Sequence, residues 1–220
     1  MVKPIVGYWD LRGLGEPIRY LLRYKNVDFE DKRYAFGKDE WKNEKFTLGF
    51  PFPNLPYYIE GDIKLTQSNA ILRYLARKHG MDGEDEQQKC KVFLAEQQIT
   101  DLHYNLVYLV ENPNYEKIKG EFFKTIPTLL KLWEEFLGDQ KYLTGDSITY
   151  VDFMAYDVFD FYRIIHAESL DEFPGLQAFQ ERIKNIPEIQ KHMNSATYKK
   201  WPIFAPNAVY AGSGEPPAHL

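Results

Sequence analysis

The stretch FPNLPYYIEGDIKLTQSNAILRYL, residues 52–75, holds the densest set of groups with a chemical use. Gln67 and Ser68 stand just before Ala70, Ile71, Leu72, Tyr74 and Leu75, whose spacing predicts an amphipathic helix. Their amides are therefore expected unpaired at a helix N-terminus, an end that attracts carboxylate through free N–H groups and the helix dipole. Upstream, Asn54-Leu55-Pro56 sets an X-Pro bond ahead of the run Tyr57-Tyr58-Ile59. The cis isomer costs little at such a bond and would turn the Leu55 backbone outward. The chemistry on offer is the binding of a carboxylate beside exposed main chain. Other chemistries lack their usual supports, because the chain has no CxxC, HExxH, GxSxG or glycine-rich phosphate loop. Disulfide exchange, zinc hydrolysis, triad acyl transfer and nucleotide binding are not indicated.

The elements that must position these groups can be read outward from the same stretch. Glu60-Gly61-Asp62 reads as a tight hairpin turn, with Ile63-Lys64-Leu65 as the returning strand. Nearer the start, Pro4–Tyr8 reads as a strand that aims Tyr8 at the loop Trp9–Pro17, and Pro17 suits a first helical turn carrying Ile18, Leu21 and Leu22 on its buried face. Residues 27–34 read as a second strand, and 37–46, polar except for Trp41 and Phe46, as an irregular or helical connection outside the core. The order is βαβ then ββα, with a right-handed parallel crossover. Glycines and acids crowd residues 79–86, so the expected division is a first domain at 1–82, a linker at 83–90 and a helical domain at 91–220. In that second part, helical spacing runs from 87 to 111 and ends at Asn112-Pro113, then from 122 to 137 with Pro127 expected to kink it. Thr149 and Asp152 have the spacing of a capping box, so Asp152 reads as a cap and not a catalyst. Shorter helices are expected at 176–183 and 187–193, and an irregular tail at 201–220.

Bulk properties bound the function. The 220 residues carry 27 Lys and Arg against 32 Asp and Glu, a balance that favours neither nucleic acid nor a membrane surface. The single cysteine, Cys90, fits a reducing compartment. Charges at Lys3, Asp10, Arg12, Glu16 and Arg19 break any secretory apolar core, and the expected location is cytoplasmic.

A proline turn beside a helix start resembles the peptide-binding corner of a thioredoxin-like fold. With GYWDLRGLGEPIR, WKNEKF, FPNLPY, QSNAI and ITYVDF in the same order, nearly the whole chain resembles the cytosolic glutathione transferases, and among them the mu class. The resemblance implies an α/β N-terminal thioredoxin-like domain (βαβ-ββα) plus an all-α C-terminal domain, assembled as a homodimer. It implies an enzyme of detoxification that conjugates the glutathione thiolate to small hydrophobic electrophiles. Glutathione is then co-substrate, and no metal or other cofactor is needed. A non-catalytic carrier of hydrophobic ligands on the same fold, or a glutathione-dependent isomerase, are the alternatives. A corner without its own cysteine acts on a thiol brought by the ligand only if the thiolate is stabilised. A free thiol has a pKa near ~8.5, and a hydrogen bond from a phenol at a helix N-terminus lowers it by roughly two units, about 2.7 kcal/mol. By itself Tyr8 also reads as a core tyrosine at a strand end. Its place in GYWDLRG implies the catalytic role.

The same resemblance assigns further residues. Trp9 and Leu14 contact glutathione after the first strand, Trp41 and Lys45 hold its glycyl carboxylate, and Lys38 stands where vertebrate mu enzymes place an arginine. The chain is several residues shorter than those enzymes between Tyr34 and Trp41, so it lacks most of the mu loop. Asn54 and Leu55 pair with the cysteinyl backbone, Gln67 and Ser68 take the γ-glutamyl group, and Asp101 reaches the γ-glutamyl amine in the neighbouring subunit. Phe52 matches an aromatic that inserts into the partner, and Arg73 and Arg77 face the subunit axis. Read alone, Lys45 is a surface lysine, Asp101 a solvated helix aspartate, Phe52 a core residue, and the two arginines are solvent-facing. The electrophile site comprises Leu11, His103, Tyr104, Tyr108, Glu111 and Phe204. Thr100, Tyr104, Val107 and Glu111 share one helical face. Glu111 occupies the place of the family's second tyrosine, so electrophiles that need a second phenolic donor are expected to be poor substrates, with Tyr108, one turn earlier, as a partial replacement. His103 reads as structural or, less simply, as a base.

Overall fold

The computed structural model describes residues 2–220. Strand β1 (Ile5–Trp9) buries Val6, Gly7 and Tyr8 and leads through a 3-10 turn at Gly13–Gly15 into helix α1 (Glu16–Tyr24), with Pro17 in its first turn. Strand β2 (Glu30–Tyr34) then returns parallel to β1, pairing Ile5 with Glu30 and Trp9 with Tyr34. It starts later than the hydrophobic pattern suggests. The Asn26 and Val27 amides donate back to the Arg23 and Leu22 carbonyls, so these residues finish the helix and cannot join the sheet.

Helix α2 (Glu40–Glu44) lies in the polar connection, but its Trp41 is core: it stacks on Tyr57 at 6.0 Å and tilts against Tyr34 at 5.4 Å. The expectation that this segment stays outside the core fails for that residue and holds for Phe46, which is 77% exposed. The Leu55-Pro56 bond is cis. Strands β3 (Tyr57–Glu60) and β4 (Ile63–Thr66) form the hairpin, with Gly61 at φ 57°, where a glycine meets no Cβ penalty. The sheet order is β2-β1-β3-β4, and helix α3 (Ser68–His79) follows β4 directly.

The second half is helical. Helix α4 (Glu86–Glu111) begins where Asp85 accepts the Gln88 amide at 2.7 Å, so residues 86–90, expected in the linker, are its first turns. It ends at Asn112, before Pro113, as expected. Helix α5 (Tyr115–Leu137) starts earlier than its periodicity indicates because Tyr115 stacks on Tyr210 of the tail, 5.0 Å away and 7° from parallel. Pro127 lies inside it. Helix α6 (Tyr150–Ile165) opens with the expected capping box: Thr149 and Asp152 satisfy each other's backbone, and Asp152 also accepts the Leu143 amide. Helices α7 (Pro174–Lys184) and α8 (Pro187–Met193) complete the domain, and α6, buried along nearly its whole length, forms its axis.

Charge as well as apolar packing joins the halves. Arg12, 1% exposed, donates to Asp157 through Nε at 3.1 Å and Nη2 at 2.6 Å, and to Asp160 through Nη1 at 2.7 Å. Losing one partner of a buried pair of this kind costs about 3–5 kcal/mol, because the other is left charged and dry. A second junction centres on Glu96, fully buried, which accepts from Arg73 and from Tyr150.

Candidate active site

Tyr8, the last residue but one of β1, faces the turn that the following residues make. Its hydroxyl oxygen accepts the Leu14 amide at 3.1 Å. That approach depends on two glycines: a Cβ on Gly13 would stand 2.7 Å from the Tyr8 hydroxyl, and one on Gly15 would stand 2.4 Å from the ring. Beneath the turn, the fully buried Arg19 donates to the Leu11 carbonyl at 2.8 Å and places its guanidinium 5.9 Å from the Tyr8 ring. Glu16 and Asp31 neutralise it, each at 3.0 Å. Burial pushes the Tyr8 phenol up to about 12, against the opposing pull of the Leu14 amide and Arg19. At neutral pH it is therefore a protonated donor whose oxygen already accepts one hydrogen bond.

In front of Gly13 and Leu14 opens a cleft of about 150 Å³. Pro17 completes that wall; Gln67, with Ser68, Asn69 and Leu72 of α3, forms the second; Ile99, Thr100, His103 and Tyr104 of α4, with Met154, Asp157 and Val158 of α6, form the third. Gln67 is held at φ 72°, a backbone state that costs a residue with a side chain on the order of 1–3 kcal/mol and tends to persist where it serves a site. It turns the chain from β4 into α3 without a side-chain cap, which leaves the first amides of α3 free for a ligand. Asn69 is tied across the cleft to the Thr100 hydroxyl at 3.1 Å. An anion therefore meets a helix N-terminus within a partly apolar cavity.

The structure gathers most of the residues singled out above. Leu14, Gln67, Ser68, His103 and Tyr104 line the cleft, while Tyr8, Leu11, Trp41 and Leu55 share one small hydrophobic cluster, with Trp9 and Leu14 packed on it. Trp9 itself stacks on Phe36 at 4.5 Å. Asn54 is exposed, and its Oδ1 accepts the Leu55 amide at 2.9 Å. Lys45 is half-buried at the end of α2, and Lys38 and Asp101 are exposed. Burial beside Phe161 and Phe204 lowers His103 to about 4, so at neutral pH it is an uncharged part of the wall. Tyr108, 71% exposed, and Glu111 lie outside the cleft lining, and Glu111 accepts from Asn207 of the tail at 2.9 Å.

Phe52, 77% exposed, projects from its proline-flanked loop and is not a core residue. Arg73 pairs with Glu96 of its own chain, and Arg77 is exposed. Sequence reasoning passed over Gly13, Gly15, Arg12, Arg19 and Asp157. The glycine spacing in LRGLGEP was the visible signal for the first two. The others are defined by partners distant in the chain.

Comparison with known proteins agrees with this geometry. Residues 4–77 match the family model for the glutathione S-transferase N-terminal domain, and 84–196 the model for the C-terminal domain. The chain is 48% identical over 207 residues to glutathione S-transferase Mu 1 of Mus musculus, covering 91% of this chain and 95% of that one. It is 40% identical to the class-mu 26 kDa isozyme 7 of Fasciola hepatica, covering 97% and 98%. Among solved structures, the glutathione S-transferase Blo t 8 superposes with a TM-score of 0.88 at 34% identity, over 94% of this chain and 99% of that one. The thioredoxin-like half, the helical half and the cleft between them thus belong together for a reason that their sequences share: this chain is a member of the glutathione S-transferase family, within its mu class.

Proposed function

We propose that the chain conjugates glutathione to small hydrophobic electrophiles. The observation that carries this is the Tyr8 phenol, kept protonated by burial and aligned by the Leu14 amide, behind a glycine gap in the wall of a cleft that also presents the start of α3. The γ-glutamyl carboxylate binds at Gln67 and Ser68, where free amides and the helix dipole favour it. Trp41 and Lys45 take the glycyl carboxylate, Lys38 adds positive charge nearby, and Asn54 and Leu55 pair with the peptide. Tyr8 then donates to the sulfur. The thiol proton leaves to solvent, the thiolate attacks the electrophilic carbon, and the displaced group departs as an anion. Tyr8 supplies charge stabilisation, and the two carboxylate anchors supply proximity. Leu11, His103, Tyr104 and Phe204 make the apolar side of the site. Glutathione is the co-substrate, and no metal or other cofactor takes part.

The working form is a homodimer in which Asp101 completes the glutathione site of the partner subunit. Exposed Phe52, together with Phe93 and Leu94, 51% and 57% exposed on α4, supports such an interface. Arg73 and Arg77 lie on the neighbouring helix α3. The balanced charge and lone exposed Cys90 support a role in cytoplasmic detoxification, and among the described residues no helix is long and apolar enough to cross a membrane. Turnover of a chloronitroaromatic with glutathione tests the reading. Binding of both compounds without turnover would instead identify a carrier.

A further inference from the structure

Thr100, His103 and Tyr104 are the residues of α4 that bring polar side-chain hydrogens to the cleft lining. Thr100 is committed elsewhere, because its hydroxyl donates to the Glu96 carbonyl at 2.7 Å and accepts from Asn69 at 3.1 Å. His103, 7% exposed, has its ring 6.1 Å from those of both Phe161 and Phe204. Tyr104 differs from both. It is 42% exposed, and its hydroxyl has no hydrogen-bond partner among the described residues. The ring is nevertheless braced: His103 meets it edge-on at 5.8 Å and 82°, and Tyr108, one helical turn on, lies 6.2 Å away. A long helix therefore brings an unpaired phenol to the wall of the cavity. Leu14, whose amide sets the Tyr8 hydroxyl, lines the same cavity. The two phenols are within electrostatic reach, since charge on Tyr104 opposes ionisation of Tyr8.

A donor beyond Tyr8 serves only an electrophile that builds negative charge on an atom away from the sulfur. A chloronitroaromatic expels halide and takes up no proton. A conjugated carbonyl does: as the thiolate bonds to the β-carbon, the C=C electron pair moves toward the carbonyl, and charge collects on its oxygen as an enolate. We propose that Tyr104 is a catalytic donor to the electrophile and that the cleft accepts α,β-unsaturated aldehydes and ketones, whose carbonyl oxygen takes the Tyr104 hydrogen bond as the enolate forms. A fixed donor aimed at developing charge lowers the barrier because it need not reorient during the reaction. The α-carbon then takes a proton from water, which balances the proton that the thiol gave up, and Tyr104 keeps its own. This rests on the conjugation reading above and names a substrate class for the same site. It replaces the expectation that Tyr108 substitutes for the family's second tyrosine, because Tyr108, 71% exposed, is outside the lining.

The test measures conjugation of glutathione to a phenyl-substituted butenone and to a chloronitroaromatic, with the native chain, Tyr104→Phe and Tyr108→Phe. Tyr104→Phe removes one accessible oxygen and keeps the braced ring. Its kcat with the enone should fall about tenfold to a hundredfold, the factor carried by one hydrogen bond to a charged group. Turnover of the chloronitroaromatic and the KM for glutathione should stay within about twofold of native, because neither uses the bond. Tyr108→Phe should resemble the native chain with both electrophiles. Equal falls for the two electrophiles would make Tyr104 a packing residue and overturn the proposal. Enone turnover that survives Tyr104→Phe, or falls as far in Tyr108→Phe, overturns it too. A native chain that conjugates the chloronitroaromatic and not the enone removes this proposal alone, whereas one that conjugates neither removes the conjugation reading and this proposal with it.

Discussion

Tyr8→Phe removes one oxygen and leaves the ring that Gly13 and Gly15 accommodate, so its effect isolates the hydroxyl. Because burial holds the phenol at about 12, it is a neutral donor across the working pH range. A hydrogen bond to a charged group contributes about 1.5–3 kcal/mol net, which at about 1.36 kcal/mol per unit lowers a thiol pKa by roughly one to two units. Starting from ~8.5, a shift of two units puts the bound thiol near ~6.5. At pH 7 such a thiol is about three-quarters ionised, against about 3% in the variant, so turnover should fall about 25-fold. As pH rises past ~9 the variant's thiol ionises too and most of the loss should disappear. Glutathione affinity, set by the carboxylate anchors, should hold. The assay is the ultraviolet thiolate absorbance of bound glutathione titrated in both proteins, alongside kcat against pH. A constant loss at every pH, or native bound glutathione titrating like the free tripeptide, would refute the thiolate role.

Gly15→Ala drives a Cβ to 2.4 Å from the Tyr8 ring, and the rigid ring, not a flexible tip, has to yield. Overpacking of this kind costs about 1–3 kcal/mol, so thermal denaturation should show a folded but weakened protein whose turnover has dropped at least tenfold; full activity would mean that Tyr8 needs no such fit. His103 is held at about 4 by burial, below its ordinary 6.5, so the unfolded chain binds the proton first and stability drains as pH falls from 6.5 through 4. The linked loss is roughly 3 kcal/mol, and His103→Leu should flatten the acid limb of a pH series of urea melts over that window; an unaltered limb would assign it to other groups. For Phe52→Ala, sedimentation velocity should show the dimer loosened by about 2 kcal/mol or more, as for a seated aromatic anchor, and an unmoved boundary would remove Phe52 from the interface.

Local patterns carried much of this architecture into view. The capping pair Thr149 and Asp152, the glycine turn at Gly61, Pro17 in a first turn and Pro113 beyond α4 act over a few residues, and each appears where its spacing places it. The start of β2 and that of α4 were shifted by local bonds, at Asn26-Val27 and at Asp85, whereas other misjudgements come from contacts that periodicity does not encode. Tyr115 joins α5 because of Tyr210 far down the chain, and Trp41 enters the core because Tyr34 and Tyr57 approach it from two strands. The site divides in the same way. Tyr8, Gln67 and Ser68 were legible from motifs, whereas Arg12 gains its meaning from Asp157, 145 positions later.

Glu111 shows why a substitution within a known pattern has to be placed before it is interpreted. From sequence, a carboxylate where the family has a phenol reads as a lost donor, and Tyr108 reads as the compensation. In the fold neither side chain lines the cleft, and Tyr104 does. One helical turn separates Tyr104 from Tyr108, with rings 6.2 Å apart, yet exposure rises from 42% to 71% between them, and of the two only Tyr104 lines the cleft. A donor to an electrophile's developing charge must reach the cavity that holds it. Tyr104 is thus the phenol of α4 that lines the cleft, and Glu111 instead accepts from Asn207 of the tail. A carboxylate at position 111 therefore removes one place for a phenolic donor while the cleft retains another at Tyr104.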